Sequence, residues 1–230
     1  MKKMAKQLKL TIVRHGETNA NVAGILQGQS LDPNFRLTDL GIHQARAAGE
    51  VLRTQCWWRI LCSDLPRTRE TAHHILKQNE PIEYTSLIRE KSFGLCEGKS
   101  KEMRSKETGL IANFIKEHGN GIIPPQSETH DEVDKRCIRV IEHIISQYNI
   151  YEQHQTASDQ HPEVLIISHG GFIKRFMHTI CGHKVSVVNN ASISTVMVML
   201  DRDGNSTCTP VEINNTEHLE RDFLMSLSTE

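Results

Sequence analysis

Apolar and polar positions fall into blocks along this chain, and the period changes from block to block. Leu8-Lys9-Leu10-Thr11-Ile12-Val13 is a short, mostly apolar run that predicts a strand, and a polar loop with glycine follows from Arg14 to Arg36. Thr38 suits the N-cap of a helix reaching Arg53, with Leu40, Ala45, Ala48 and Leu52 on one side. A strand is predicted from Arg59 to Cys62, a helix from Leu65 to Lys77 and a brief strand at Ile82-Glu83-Tyr84. From Thr129 the periodicity is helical, with Val133, Cys137, Val140, Ile141, Ile144, Ile145 and Tyr148 at i, i+3/i+4 spacing.

Val164-Leu165-Ile166-Ile167-Ser168 is an unbroken apolar run, the pattern of a parallel strand buried on both faces. His169-Gly170-Gly171 opens a helix to Cys181. Ile193 to Leu200 and Thr207 to Ile213 read as strands joined at an Asp203-Gly204 turn, and the tail after Asn214 is expected to be loose. Residues 86–128 are irregular and glycine-rich, with a helix expected between Ser100 and Glu117 as part of a cap, and 152–162 reads as a surface loop. Strand and helix alternate, so the expected fold is α/β: a three-layer sandwich, its central sheet mostly parallel, with helices on both faces. At 230 residues the chain is expected to be one domain, 1–230.

Composition narrows the function. Lys+Arg 27 against Asp+Glu 28 gives a net charge of −1, so no strong field invites nucleic acid or an acidic membrane. Aromatics are 5%, too few for a base-stacking platform. No apolar run approaches a membrane span, and the stretch after Met1-Lys2-Lys3 ends too early, at Arg14, for a signal sequence, so the expected location is cytoplasmic. Cys56, Cys62, Cys96, Cys137, Cys181 and Cys208 form no CxxC pair and read as reduced thiols. The 13 histidines show no zinc spacing, so no metal and no cofactor are expected.

Ligands of open parallel sheets bind beyond the carboxyl ends of the strands. His15 follows the first strand and His169 the central one, so the two are expected to be neighbours. Arg14, Arg67 and Glu90 are the charged groups that could join them. The set suits a phosphate monoester. Guanidinium donors match phosphate oxygens. A neutral imidazole can attack phosphorus, and nearby guanidinium charge keeps it neutral. Glu90 could protonate the leaving oxygen and then activate water.

Four segments carry a resemblance. Leu10-Thr11-Ile12-Val13-Arg14-His15-Gly16-Glu17-Thr18-Asn19-Ala20-Asn21 resembles the signature of the histidine phosphatase, or phosphoglycerate mutase-like, superfamily. Ser63-Asp64-Leu65-Pro66-Arg67-Thr68-Arg69-Glu70-Thr71 resembles its second arginine motif, the run from Arg89 to Lys99 its acid motif, and Ser168-His169-Gly170-Gly171 its second histidine motif. The resemblance implies His15 as nucleophile, Arg14, Arg67 and His169 as the phosphate pocket, Asn21 as a further phosphate contact and Glu90 as proton donor. It also implies phosphate at the Gly170 N–H and substrate along Gln27 and Gly28.

The acid segment lacks the mutase form and resembles the phosphatase branch, most nearly its TIGAR-type fructose-2,6-bisphosphatases. It departs from them at Ser127, where they commonly have glycine, and in the short 149–162 segment. The resemblance implies a metal-independent phosphomonoester hydrolase acting through phosphohistidine on a small phosphorylated metabolite, with a sugar bisphosphate such as fructose 2,6-bisphosphate preferred, and a monomer or weak homodimer. A broad-specificity or phosphoprotein phosphatase, a mutase and a non-catalytic scaffold are the alternatives.

Other conspicuous residues have plainer readings. Arg69, Glu70 and Lys77 read as a solvated helix face, His73 and His74 as surface or partly packed, and Trp57-Trp58 as packing near the sheet edge. Glu17 is expected to accept from backbone and Arg89 to hold its loop. Cys96 reads as a packed thiol rather than a redox group. Lys91 and Lys99 steer a second phosphate or are merely solvated, and Arg136 bridges to the site or only to an acidic neighbour.

Overall fold

A computed structural model of the protein describes residues 6–100, 126–153, 161–201 and 203–220. Strand β1 (Lys6–Arg14) lies inside a six-stranded sheet with β2 (Trp57–Ser63), β3 (Glu83–Thr85), β4 (Glu163–Ser168), β5 (Ile193–Leu200) and β6 (Ser206–Asn215). The order is β3-β2-β4-β1-β5-β6. The first four strands in that order are parallel, while β5 runs antiparallel to both its neighbours, β1 and β6.

Alternation along the strands separates two cores. On β4, Val164 and Ile166 face the helices α4 (His130–Gln153) and α5 (Gly170–Cys181), while Leu165 and Ile167 face α2 (Asp39–Leu52) and α3 (Pro66–Ile75). Both faces are therefore covered, as the unbroken apolar run demands. Each fully buried side chain of this kind contributes about 1.5–3 kcal/mol. Trp58 packs against Tyr148 and Tyr151 of α4 from β2, the strand next to the sheet edge.

The helix ends follow their sequence signals. Thr38 caps α2 by accepting from the Gly41 N–H. Thr129 and Glu132 form a reciprocal capping box at the start of α4. Gly182 ends α5 in the left-handed region, at φ 64°.

Three expectations need correction. Leu40 does not join the core stripe of α2, being 54% exposed. Gly41 takes its place, because a Cβ there would stand 2.0 Å from the Glu17 carbonyl oxygen. The reverse contact is equally close, at 2.3 Å from a Gly16 Cβ to the Gly41 oxygen. The predicted loop from Arg14 to Arg36 contains a one-turn helix, α1 (Asn19–Val22), closed by a Thr18–Asn21 capping box. The segment after Asn214 is not loose throughout: β6 runs to Asn215, and His218 is buried, its Nε2–H donating to the Ala191 carbonyl at 3.1 Å. The cap helix expected over 100–117 lies, beyond Ser100, outside the described residues.

Candidate active site

Register places the two histidines side by side. Arg14 pairs with Ser168 at the ends of β1 and β4, so His15 and His169 leave adjacent parallel strands together. Their ring centroids are 5.2 Å apart. The His15 N–H donates to Ser168 O at 3.0 Å, and its carbonyl accepts from Ala191 N at 3.2 Å and Asn190 Nδ2 at 3.1 Å. His15 Nδ1 lies 2.7 Å from the Gly16 carbonyl. A carbonyl only accepts, so the proton of the neutral ring sits on Nδ1 and the lone pair on Nε2. Burial first, then Arg67 and Arg14, hold His15 well below the ordinary imidazole range, against the weaker opposite pull of Gly16. His169 is lowered in the same way, by burial and then by Arg67.

The arginines are held by backbone carbonyls rather than carboxylates. Arg67, buried at the start of α3, donates from Nη2 to Gly28 O at 2.8 Å. Arg14 donates from Nη1 to Val188 O at 2.7 Å. Burial lowers the Arg67 pKa to about 10, still high enough to stay charged at neutral pH. Among the described residues, the Nε groups of Arg14 and Arg67 have no hydrogen-bond partner though both are buried, and neither has His169 Nδ1. A buried donor left unmet costs about 1–3 kcal/mol, more when charged. The two guanidinium groups and the second imidazole near the neutral His15 ring thus carry unmet hydrogen-bonding capacity.

A cavity of about 410 Å³ opens here, and Arg14, His15, Asn21, Arg67, Glu90 and Gly170 line it. His169 is not on the wall; it is fully buried, with Nε2 at 2.8 Å from Ser63 Oγ. Asn21 Oδ1 accepts from Thr18 N, Thr18 Oγ1 and Asn190 Nδ2, which leaves its Nδ2 as the donor for the cavity. Gln27 and Gly28 also line the cavity, and Gln27 Oε1 is buried without a partner. Gly28 sits at φ +50°, and the Glu97 carboxylate fills the place of its missing Cβ.

Glu90 also lines the cavity. Its Oε2 accepts from Gly171 N at 2.9 Å and its Oε1 from Lys91 N at 2.8 Å. A Cβ on Gly171 would come within 2.2 Å of Oε1, so glycine is what lets the carboxylate reach the helix end. The N–H at this point thus meets a carboxylate from Gly171, beside the Gly170 that the sequence singled out.

The plainer readings also find places. Arg89 grips Asp64 through two hydrogen bonds, at 2.6 and 2.5 Å. Arg136 binds Glu128 and also reaches the Glu90 loop. Glu17 Oε1 accepts from the Thr38 hydroxyl, a side chain rather than backbone. Glu70 is not purely solvated, since it accepts from Leu37 N, and Arg69 lies over the Tyr84 ring. Cys96 is buried and off the cavity wall. Burial pushes the Cys62 and Cys137 thiols up to about 12. Among the described residues, no three His, Cys, Asp or Glu side chains converge as metal ligands, and no helix is long and apolar enough to cross a membrane.

Sequence reasoning missed Asn190, Ser63 and the 188–192 loop. That loop supplies the acceptor for Arg14 and two donors for the His15 carbonyl, yet its only sequence signal is an Asn-Asn pair before a strand.

Residues 10–216 match the sequence profile of the histidine phosphatase superfamily (branch 1). Among curated proteins, the chain is 36% identical over 133 residues to the fructose-2,6-bisphosphatase TIGAR of Bos taurus, covering 55% of this chain and 47% of that protein. The chain thus spans about half the length of the first curated relatives it matches. It is 28% identical over 231 residues to a broad-specificity phosphatase of Saccharomyces cerevisiae, covering 95% of this chain and 91% of that one. The solved structure of mycobacterial hydrolase 1 superposes with a TM-score of 0.73 at 21% identity, covering 90% of this chain and 99% of that one, which speaks for the fold alone.

Proposed function

This chain belongs to the histidine phosphatase superfamily, branch 1, and we propose that it hydrolyses phosphate monoesters through a phosphohistidine on His15. The observation that carries this reading is the set of unmet, buried groups, Arg14 Nε, Arg67 Nε and His169 Nδ1, around a neutral imidazole with its lone pair on Nε2. A phosphoryl group in the cavity would satisfy the two guanidinium edges beside His15. Its oxygens accept from the guanidinium edges and from Asn21 Nδ2 while phosphorus faces the nucleophile.

The reaction runs in two steps. The Nε2 lone pair forms the P–N bond as the ester P–O bond breaks, and the leaving oxygen takes the proton of the Glu90 carboxyl. Water then attacks phosphorus, gives its proton to the Glu90 carboxylate, and the P–N electron pair returns to His15. The arginine charge stabilises the phosphoryl oxygens in both steps.

The preferred substrate is a small sugar bisphosphate such as fructose 2,6-bisphosphate. The TIGAR similarity supports it, as does Lys174, a further cation on the cavity wall. A second reading, broad specificity, is favoured by Ile25, Leu26, Phe93 and Val188 on the same wall and by the nearly full-length yeast relative. The proposed partner is the metabolite alone, with the chain acting in the cytoplasm.

Phosphate release from a panel of mono- and bisphosphorylated metabolites, assayed in EDTA with His15→Ala as the blank, tests the proposal. Release that survives EDTA and is lost in the variant supports it. Equal release by both proteins overturns it. The ranking of substrates decides between the two readings.

A further inference from the structure

The segment that delivers Glu90 has little regular structure of its own. It is a single 3₁₀ turn (Ser86–Ile88) followed by extended backbone. Such a segment cannot satisfy its carbonyls internally, and buried carbonyls need partners. Here four successive ones are captured by side chains from elsewhere. Leu87 O and Arg89 O accept from Arg136 Nη1 at 2.8 and 2.9 Å. Ile88 O accepts from Ser168 Oγ at 2.7 Å, and Glu90 O from Gln29 Nε2 at 3.0 Å and Arg136 Nη2 at 3.3 Å. Arg136 therefore holds three of the four.

The arginine is itself held on every side. Its Nε and Nη2 grip Glu128 at 2.7 and 2.8 Å. Its guanidinium lies 5.6 Å from the ring centroid of Phe172, the neighbour of the Gly171 that donates to Glu90. Glu128 Oε2 also accepts from Ser92 N at 2.8 Å and Gln29 Nε2 at 3.2 Å, so the pair clamps residues on both sides of Glu90.

We propose that Arg136, neutralised by Glu128, is the positioning residue of the general acid: it fixes the backbone of residues 87–90 so that the Glu90 carboxyl meets the leaving oxygen. The inference rests on Glu90 acting as that acid. Arg136 is not on the cavity wall, so it acts through the backbone it holds. Its planar fork is essential, because one ammonium cannot hold a carboxylate and three carbonyls in this geometry.

A positioning role has a signature that a structural one lacks. An acid matters most when the leaving group is a poor one. Alkyl phosphates need protonation, whereas nitrophenyl phosphate departs almost unaided. The value of kcat/KM reports the steps through leaving-group departure, so it isolates this effect from hydrolysis of the phosphoenzyme. The experiment measures kcat/KM for Arg136→Lys, Glu128→Gln and Glu90→Gln across aryl and alkyl phosphates of decreasing leaving-group acidity. Circular dichroism and thermal melts accompany each variant.

Arg136→Lys is expected to lose about ten- to a hundredfold on alkyl phosphates and less than about threefold on nitrophenyl phosphate, in the direction of Glu90→Gln. Glu128→Gln is expected to follow with a smaller loss, and it carries the test if Arg136→Lys does not fold. An equal loss on all substrates, or no loss, while Glu90→Gln keeps its leaving-group dependence, overturns the role of Arg136. If Glu90→Gln itself shows no such dependence, the reading of Glu90 fails, and the inference with it.

Discussion

The two halves of the site are built in opposite ways. The phosphate half grows from the ends of the central strands. Arg14 ends β1 and His15 follows it, His169 follows β4, and Arg67 sits in the first turn of α3, so each side chain inherits its place from regular structure. The acid half is carried by irregular backbone and is placed by side chains far away in sequence, from Gln29, Glu128, Ser168 and Arg136. The first half pays in burial, leaving charged and polar donors unmet inside the fold. The second leaves fewer groups unmet and depends on a network. Phosphate binding and the nucleophile thus sit in a half built on regular structure with donors left unmet, and proton transfer sits in an assembled, better-satisfied one.

The largest expected effect lies in the first half. His15→Ala is expected to bring phosphate release below about a thousandth of wild type, because no neighbouring group replaces the Nε2 lone pair. Arg67→Met sharpens the contrast, since it should lower kcat/KM by at least about a hundredfold yet raise the melting temperature by a few degrees. The reason is that Arg67 is buried with one donor unmet and no carboxylate directly bonded. A scanning calorimetry trace showing a lower melting temperature would mean that the guanidinium stabilises the empty fold.

In the acid half, Gly171→Ala is expected to lower kcat/KM on alkyl phosphates by about tenfold, because the new Cβ would stand 2.2 Å from Glu90 Oε1 and move the carboxylate. The same assay series reads the effect.

The pH dependence of stability belongs to the phosphate half. His15 and His169 are held neutral well below their ordinary value of 6.5, and His218 is lowered too. The unfolded chain therefore binds more protons just below pH 6.5, and stability falls as pH drops through that value towards the depressed folded ones. Each fully shifted imidazole contributes a slope of about 1.4 kcal/mol per pH unit. Urea unfolding at neutral and mildly acid pH measures it, and His15→Asn should reduce it by the share of one imidazole.

The smallest effect concerns the 188–192 loop. Ala191 is buried at φ +52°, between the His15 carbonyl and His218. Ala191→Gly is expected to stabilise the protein by up to about 1 kcal/mol without lowering activity, which a thermal melt and the standard assay can check.

The same division explains what the sequence made legible. The α/β sheet and both histidine positions could be read because β4 is an unbroken apolar run and the motifs abut strand ends. Arg67 could be read because it lies in the first turn of a helix opened by Pro66. Gly41 was not legible, since its burial comes from a backbone approach to Glu17 rather than from an apolar side chain. Asn190 and the carbonyl contacts of Arg136 were not legible either, because they join residues 175 and 49 positions apart with no local pattern. Nor is the burial of His218 legible in the sequence, since it depends on the Ala191 carbonyl, which only the folded chain brings near.

The most direct test of the central claim is to trap the phosphoenzyme. Glu90→Gln, whose breakdown step lacks its base, is mixed with nitrophenyl phosphate and quenched in alkali. Peptide mass spectrometry then locates the phosphoryl group, and phosphorus NMR identifies the bonded nitrogen. The account predicts one phosphoryl group on Nε2 of His15, because Nδ1 is committed to the Gly16 carbonyl. A phosphoryl group on Nδ1 or on another residue would contradict it, as would its absence from a variant that still releases nitrophenol in a burst.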